Sequence, residues 1–425
     1  MKLTIIGLNY APEPTGIAVY AAGLAEGLAD RGHTISAIVG YPHYPQWKVY
    51  PGYEGGSRTD REQGVNVHRV HQFVPAAPRL ANRMVMELDF GLKSMFARWR
   101  RPDAVLFVSP ALLSVAVGML RAKVARTPAS IWVQDLYSLG VSESGTGGQL
   151  AGKIIRFVER AVLRSAGSVV VIHERFKRYL VEELGVDAGR VAIVRNWTHV
   201  DTTPNASRSC VRAAYGWTDD DVVVLHAGNM GAKQALENVV EASRVASSIG
   251  SRVRFVLLGD GNRRQLLEAM GANDRLEILD PVAKDDFMAT LLAADILLVN
   301  ERTGLSEMSV PSKLTSYFSS GLPVIAATDA SSVTAQEIEI SGGGVRVNPD
   351  SPQALVAAAE QLAADPEISR GLGSAGRRFS ARLLSVGPAI DSFEDILSQL
   401  GAARLRRAGY EATDTARNST GIGAS

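Results

Sequence analysis

Short apolar runs recur along most of the chain, and longer segments with helical spacing separate them. The first half holds seven such runs and the second half holds six. They lie at residues 3–7, 34–39, 67–70, 104–108, 130–133, 168–172 and 191–194, and at 222–226, 254–258, 276–278, 296–299, 324–326 and 344–347. Such runs are typical of strands buried on both faces of a parallel sheet that helices cover. The pattern predicts an α/β fold with one mainly parallel sheet in each half.

A polar segment at residues 201–210 separates the two sets of runs and is typical of a linker. A chain of 425 residues also favours two domains. We therefore expect two Rossmann-like domains, at residues 1–200 and 201–385, that face each other across a cleft. A helix at 386–400 is expected to pack back on the first domain. The tail at 402–425 has little apolar periodicity and is expected to be disordered.

The charge balance and the cysteine content exclude several classes of protein. Lys and Arg number 45 and Asp and Glu number 44, so no global field attracts nucleic acid. The single cysteine, Cys210, cannot form an internal disulfide, and the N-terminus lacks the apolar core of a signal peptide. The most apolar stretch, residues 104–120, is shorter than the ~20 residues that a span needs. We expect a cytoplasmic protein whose membrane contact, if any, is peripheral.

The segment PSKLTSYFSSGLPVIA at residues 311–326 predicts a helix whose first turn can hold an anion. Pro311 suits the first helical turn, whose free N–H groups point outward, and Lys313 adds a positive charge there. Gly321 and Pro323 end the helix before the next apolar run. A phosphate site is one interpretation, and ordinary helix capping is the other.

Three glycine-containing turns follow predicted strands and offer further candidate sites. The loop LNYAPEPTGIAVY at residues 8–20 lacks the dinucleotide motif GxGxxG, but Gly16 allows a ligand to approach a helix N-terminus. In LHAGNMGAKQ at residues 225–234, two glycines permit a tight turn, Asn229 offers amide donors, and Lys233 can reach a phosphate. In LLGDG at residues 257–261, the glycines leave room for a nucleoside. Each is also compatible with a plain turn.

The order of these motifs resembles the donor half of the retaining glycosyltransferases of family 4, which have the GT-B fold. The resemblance rests on GNMGAKQ, LLGDG, LDPV at 279–282, ADILLV at 294–299 and the PSK segment. The opening NYAPEPTGIAVY and the segment GYPHYPQWKVYPGY at 40–53 are similar to the colanic-acid or exopolysaccharide subgroup. The resemblance covers about residues 1–400. It implies transfer of a sugar from a UDP- or GDP-sugar to a lipid-linked glycan, with no metal or other cofactor.

The resemblance also implies roles for individual residues. Lys233 and Lys313 would bind the donor diphosphate, and Gly16 would approach it from the other domain. Asp135 would lie near the reacting sugar, unless it only caps a turn. Further donor contacts are implied at Gly228, Asn229, Gly259, Gly261, Val282, Glu301, Glu307 and Ser312. Glu301 and Glu307 are also compatible with solvated loop acids.

Two positions depart from the family pattern. Ser316 stands where a glutamate often holds the ribose, and Asn229 replaces an arginine. These departures imply weaker donor binding or a contact from a partner. Two alternatives stay open: a sugar-nucleotide epimerase, which has the same two-domain shape, and a non-catalytic scaffold derived from a transferase, which the two departures favour.

Two segments of the first half are candidates for contacts with the acceptor. Tyr41, His43, Tyr44 and Trp47 form an aromatic loop that either stacks on an acceptor sugar or anchors itself. Residues 79–101 hold six basic and two acidic residues with Trp99 among them. This segment predicts a basic amphipathic helix, lying on an anionic membrane or packed on the core. His173, at a strand end, is expected to be structural.

Overall fold

The computed structural model describes residues 1–14, 16–77, 79–138, 148–198, 204–271, 273–304 and 313–419. The chain divides into two compact units. Unit 1 comprises Met1–Arg195 with Val386–Ser425, and unit 2 comprises Asn196–Ser385. The linker predicted at residues 201–210 lies just inside unit 2, and its last residues belong to a helix that begins at Arg208.

Unit 1 contains an eight-stranded sheet. Its strands are β1 (Lys2–Gly7), β2 (Thr34–Gly40), β3 (Arg58–Glu62), β4 (Val65–Val70), β5 (Ala104–Ser109), β6 (Ala129–Val133), β7 (Ser168–Val171) and β8 (Val191–Ile193). They are ordered β3-β4-β2-β1-β5-β6-β7-β8, and all neighbours are parallel except β3 and β4. The side chains of β5 and β6 are buried on both faces, as parallel strands under helices require.

The helices of unit 1 lie on two faces of this sheet. They are α1 (Ile17–Asp30), α2 (Leu80–Phe96), α3 (Leu112–Val124), α4 (Gly148–Ser165) and α5 (Glu174–Glu182). The connection through α1 moves along the sheet in one direction, while those through α2, α3 and α4 move in the other. Because such crossovers are right-handed, α2, α3 and α4 share one face, and α1 lies on the opposite one. In agreement, α2 packs on α3 and α3 packs on α4.

Unit 2 contains a six-stranded parallel sheet. Its strands are β9 (Val222–Ala227), β10 (Val253–Leu258), β11 (Leu276–Leu279), β12 (Ile296–Asn300), β13 (Val324–Ala327) and β14 (Gly344–Val347), ordered β11-β10-β9-β12-β13-β14. Its helices are α6 (Arg208–Tyr215), α7 (Glu237–Ser248), α8 (Arg264–Ala269), α9 (Lys284–Ala293), α10 (Lys313–Ser320), α11 (Val333–Ser341), α12 (Pro352–Ala364) and α13 (Pro366–Leu383). Val223 and Leu225 enter one apolar cluster and Val222 and Val224 the other, so both faces of the sheet are covered.

The last helix, α14 (Val386–Ser419), returns to unit 1 and packs on α1, β5 and β6. The ring of Phe393 lies 4.7 Å from that of Trp132, and Arg31 pairs with Glu394 at 2.7 Å. The sequence predicts a disordered tail from residue 402, whereas the helical backbone continues to Ser419. Residues 402–408 are mostly alanine, arginine and leucine, which are strong helix formers, and this composition favours the longer helix.

These observations confirm the α/β fold with two mainly parallel sheets, and all thirteen predicted apolar runs lie in strands. The additional strand is β3, whose sequence RTDRE has no apolar residue. Among the helices that the structure describes, none is long and apolar enough to cross a membrane.

Candidate functional site

The two glycine turns of unit 2 lie against each other at the carboxyl edge of its sheet. They follow β9 and β10, which are adjacent and parallel, so their loops meet there. The backbone N–H of Gly228 donates to the carbonyl of Leu258 at 2.8 Å. A Cβ atom on Gly259 would lie 2.0 Å from the carbonyl oxygen of Gly228, and one on Gly261 would lie 2.5 Å from that of Met230. The glycines at 259 and 261 are therefore needed for this close approach.

Lys313, the first described residue of α10, reaches the end of β9. Its Nζ lies 3.0 Å from Nε2 of His226, and a Cβ atom on Gly228 would lie 3.9 Å from the same Nζ. His226 is fully buried, and burial, followed by the nearby Lys313 ammonium, holds the pKa of its imidazole well below the usual range. The ring is therefore neutral, and its Nε2 accepts a hydrogen bond from the ammonium. The positive charge is thus held beside the glycine turn.

Helix α10 is fixed to β9 by a second contact. The buried Tyr317 lies four residues after Lys313 on the same face of the helix. Its hydroxyl oxygen accepts a hydrogen bond from the backbone N–H of Ala227 at 2.8 Å. The helix start therefore has a defined position relative to the turn at Gly228. The sequence predicts no role for His226 or Tyr317, although each lies within a recognised motif.

Lys233 lies on the loop between β9 and α7, with its side chain exposed. The loop is fixed through its backbone: the N–H of Arg302 donates to the carbonyl of Lys233 at 2.9 Å. The Asn300 amide, at the end of β12, donates to the carbonyl of Gln234 at 2.8 Å. Asn229 contacts Gln234 from within the same loop, with 3.4 Å between Nδ2 and Oε1. The structure therefore brings Lys233, Asn229, Lys313 and the glycine turns to one edge of unit 2.

Three other predicted donor-site residues have different surroundings. Glu301 is buried, and its carboxylate accepts hydrogen bonds from the hydroxyls of Thr328 and Thr334, so it is not a solvated loop acid. Ser316 is buried, and its hydroxyl donates to the carbonyl of Lys313 at 3.0 Å. Val282 is partly buried against the apolar core. Pro311, Ser312 and Glu307 lie outside the described residues.

In unit 1, Gly16 and Asp135 lie where loops follow strands. Gly16 precedes α1 with a φ of +64°, and no atom lies within 4 Å of where its Cβ would be, so its backbone is accessible. Asp135 lies two residues after β6 and is exposed, with Oδ1 accepting from the N–H of Leu136 at 2.9 Å. Neither local position excludes the predicted role.

Two buried carboxyl groups near this edge of unit 1 are not predicted from the sequence. Glu159 accepts a hydrogen bond from the N–H of Tyr137 at 2.7 Å, and burial raises the pKa of its carboxyl group. Glu87 accepts from the N–H of Leu113 at the start of α3, and burial raises the pKa of its carboxyl group to about 7. Both acids lie on outwardly ordinary helices, so nothing in the local sequence marks them.

The aromatic loop of unit 1 is largely internal. Tyr41 and His43 are buried, and the Tyr41 hydroxyl donates to the carbonyl of Gly56, so both side chains anchor the loop. Neither ring reaches the surface, which favours the anchoring alternative over stacking on an acceptor sugar. Trp47 is partly exposed, and the Arg83 guanidinium lies 5.8 Å from its ring centre. His173 caps α5 through its ring nitrogen, as expected of a structural residue.

A buried carboxylate joins this loop to the loop that follows β1. Oε1 of Glu13 accepts from the backbone N–H groups of His43 and Tyr44 at 2.8 and 2.9 Å, and Oε2 accepts from Asn9. Glu13 stands between the two prolines of the PEP motif, but its sequence context does not reveal which loop it contacts. In the described part of the chain, no group of three or more His, Cys, Asp or Glu could hold a metal ion.

Comparisons with known proteins identify the family of the chain. A Glycosyl transferase 4-like domain matches residues 15–197, and a domain of Glycosyl transferases group 1 matches residues 221–365. The chain is 30% identical over 383 residues to the putative colanic acid biosynthesis glycosyl transferase WcaI of Escherichia coli K12, covering 85% of this chain and 92% of that protein.

Solved structures with the same fold include two that the chain covers in full. The sucrose-phosphate synthase of Thermosynechococcus elongatus has a TM-score of 0.70 at 18% identity over 95% of this chain. The HepE protein of Anabaena, solved with UDP, has a TM-score of 0.68 at 15% identity over 94% of this chain.

Proposed function

The chain belongs to the GT-B glycosyltransferases of the family 4 type, and we propose that it moves a sugar from a nucleotide-diphosphate sugar to a hydroxyl of a lipid-linked glycan. The similarity to WcaI supports a place in exopolysaccharide assembly. The observation that carries the proposal is the Lys313 ammonium beside Gly228, fixed by the neutral ring of His226.

The donor site is proposed at the carboxyl edge of the unit 2 sheet. The diphosphate binds between Lys313 and Lys233, against the exposed backbone of Gly228 and Asn229. The nucleoside lies near Gly259, Gly261 and Val282. HepE of Anabaena has been solved with UDP and with UDP-glucose, which supports a nucleotide-sugar donor here. Because Ser316 replaces the expected glutamate and its hydroxyl is bound within α10, recognition of the ribose falls to other groups.

The proposed reaction retains the configuration of the transferred sugar. The bond between the anomeric carbon and the donor phosphate oxygen breaks, and the acceptor oxygen bonds to the same face of that carbon. The acceptor proton passes to the leaving diphosphate oxygen, so positioning matters more than a strong base. Lys313 and Lys233 stabilise the charge that develops on the leaving group. We therefore expect transfer to need no metal ion, which the inclusion of EDTA would test.

Unit 1 is proposed to hold the acceptor. In this proposal, Asp135 and Gly16 keep the ligand-binding roles that the family resemblance implies. Trp47 is the aromatic residue of the 41–47 loop that combines partial exposure with a neighbouring cation, Arg83. The hydrogen bonds from the backbone of His43 and Tyr44 to Glu13 hold the 41–47 loop in position.

The decisive experiment measures transfer by Lys313→Met and Lys233→Met, with Lys284→Met as the control. Lys284 is an exposed lysine of the same unit at the start of α9. We expect roughly 100-fold or greater loss for Lys313→Met, as for removal of one preorganised donor to a developing charge. Lys233→Met should lose activity in the same direction, and Lys284→Met should match the parent. Full activity in both site variants would refute the diphosphate assignment.

The same assay separates the remaining alternatives. UDP- and GDP-sugars are supplied with and without a lipid-linked acceptor, and the products are analysed by NMR for anomeric configuration. A new free nucleotide-sugar formed without acceptor would identify an epimerase. Absence of nucleotide binding by calorimetry would identify a non-catalytic scaffold.

A further inference from the structure

We propose that α2, α3 and α4 of unit 1 form a docking face for an anionic lipid bilayer. We call it the three-helix face. It consists of the exposed apolar side chains of the three helices and the basic residues around them. The inference extends the proposed function, because a lipid-linked acceptor resides in a membrane, but membrane binding can be measured without any transfer.

Helix α2 exposes an apolar stripe where an ordinary surface helix is polar. Val85, Leu88, Leu92 and Phe96 follow one another at helical spacings of three and four, and Phe96 is 83% exposed. The side of α2 that faces the core is filled by other residues, including Phe90. The outward stripe therefore adds nothing to the packing of unit 1. A stripe of this kind normally faces an apolar environment.

The neighbouring helices continue this apolar surface. Leu120 and Val124 on α3 are one turn apart, and Val124 is 86% exposed. Leu150, Ile154 and Phe157 on α4 are spaced by four and three, and Phe157 is 72% exposed. Since α2 packs on α3 and α3 packs on α4, the three stripes lie on the same side of the sheet.

The concentration of these residues is specific to this face. Of the sixteen large apolar side chains exposed in the described part of the chain, nine lie on these three helices. The other seven are distributed over both units. Single exposed apolar residues are normal in a folded protein, but nine on three helices that pack side by side indicate an interaction surface.

The charge on the same helices selects the partner. The sequences of α2, α3 and α4 contain eight basic and three acidic residues, and two of the acids, Glu87 and Glu159, are buried. The third, Asp89, pairs with Lys93 at 2.9 Å. The exposed basic residues are Arg83, Lys93, Lys123, Lys153, Arg156, Arg160 and Arg164. Lys93 pairs with Asp89 and Arg156 pairs with Glu183 at 2.8 Å, so basic residues remain in excess on this face. An apolar surface with an excess of cations matches anionic lipid headgroups over acyl chains, whereas a second copy of the chain would bring like charges together.

The geometry decides between the two alternatives that the sequence leaves open for Trp99. Trp99 is 4% exposed, its indole N–H donates to the carbonyl of Ser94, and the Arg121 guanidinium lies 4.2 Å from its ring centre. It is therefore a core residue and not a membrane anchor. Phe96 and Phe157 hold the exposed aromatic positions instead.

The test is flotation of the full chain with vesicles of phosphatidylcholine alone or mixed with phosphatidylglycerol. We expect flotation with the anionic vesicles, weakened by salt. The double variant Phe96→Ser, Phe157→Ser should reduce the bound fraction about tenfold or more, because it removes two side chains from the inserted surface. The charge variant Lys123→Gln, Lys153→Gln should weaken binding to anionic vesicles. The matched control is Ile249→Ser, Ile340→Ser, which removes exposed apolar side chains from unit 2.

Each outcome bears on the proposal. Equal flotation of the Phe double variant and the parent would overturn it, and so would equal loss in the unit 2 control. A parent chain that does not float but forms a dimer, which the Phe variant abolishes in sedimentation, would assign the face to a second copy. The substituted side chains are exposed, so circular dichroism should show unchanged folding. Normal flotation of an inactive Lys313→Met chain would support this face independently of the catalytic proposal.

Discussion

Replacement of His226 by leucine should disable Lys313 without unfolding unit 2. In the parent, the Lys313 ammonium donates to Nε2 of His226 at 3.0 Å. Leucine fills the buried site but offers no acceptor. A hydrogen bond with one charged partner contributes about 1.5 to 3 kcal/mol. Lys313 has other interactions and is only half-buried, so we take the lower end of that range. A loss of about 1.4 kcal/mol is tenfold in kcat/KM for the donor.

The control is His226→Gln, whose Oε1 can accept from the ammonium in place of Nε2. We expect the glutamine variant to retain most of the activity that the leucine variant loses. Steady-state kinetics with varied nucleotide-sugar measure both parameters. If Lys313 acts mainly on the leaving diphosphate, kcat should fall more than KM rises. Parental kinetics in His226→Leu would refute the idea that His226 positions Lys313.

The buried imidazole also predicts a dependence of stability on pH. Its pKa is lowered in the folded protein, so below about 6.5 the unfolded chain binds a proton that the folded chain does not. As pH is lowered below about 6.5, the free energy of unfolding should therefore decrease, by up to about 1.4 kcal/mol per pH unit from this group. Urea unfolding at several pH values should show a smaller acid loss in His226→Leu. An identical acid loss in both chains would contradict a neutral buried ring.

Three further predictions concern the supports of the two sites. Gly259→Ala should abolish the thermal shift caused by nucleotide and lower the free energy of unfolding by roughly 1 to 3 kcal/mol, because the new Cβ would overlap the Gly228 carbonyl. The control is Gly371→Ala, since a Cβ at this position on α13 meets no atom within 4 Å. Glu13→Ala should lower the free energy of unfolding in urea by roughly 2 to 4 kcal/mol, because two backbone N–H groups lose their hydrogen-bond partner. The KM for the glycan acceptor should rise. Unchanged stability would show that Glu13 does not hold the loop. Glu87 has a raised pKa, so the folded chain binds its proton more tightly between about pH 4.5 and 7, and the contribution of this group to stability should fall as pH rises through this window, opposite to that of His226. The difference in the free energy of unfolding between the parent and Glu87→Gln should therefore decrease over this range, and a constant difference would assign the slope to other groups.

The sequence predicts the sheets well because their strands are buried on both faces. Such strands must be apolar throughout, and the runs at β1, β5 and β9 show this directly. Strand β3 escapes the pattern because it is an exposed edge strand that pairs only with β4. Its polar sequence resembles that of a loop. Exposure, and not strand geometry, therefore limits this kind of prediction.

The candidate sites are predictable only in part, for a related reason. Glycines and lysines at strand ends are recognisable because parallel strands bring their carboxyl ends to one edge. The groups that position them, such as His226 and Glu13, make contacts that only the tertiary structure reveals. Whether an aromatic ring points inward is equally hidden, so the sequence leaves two interpretations open at Tyr41 and Trp99 and does not single out Phe96 and Phe157.

The return of α14 to unit 1 has a consequence for the synthesis of the chain. Phe393, which is fully buried against the Trp132 side of the sheet, is translated only after all of unit 2. Unit 1 begins first on the ribosome but is completed last, whereas unit 2 is contiguous and can fold as soon as it emerges. Until then, the apolar surface around Trp132 is uncovered in the nascent chain. A stop codon after Ser385 would therefore leave unit 2 intact and make unit 1 the part that aggregates.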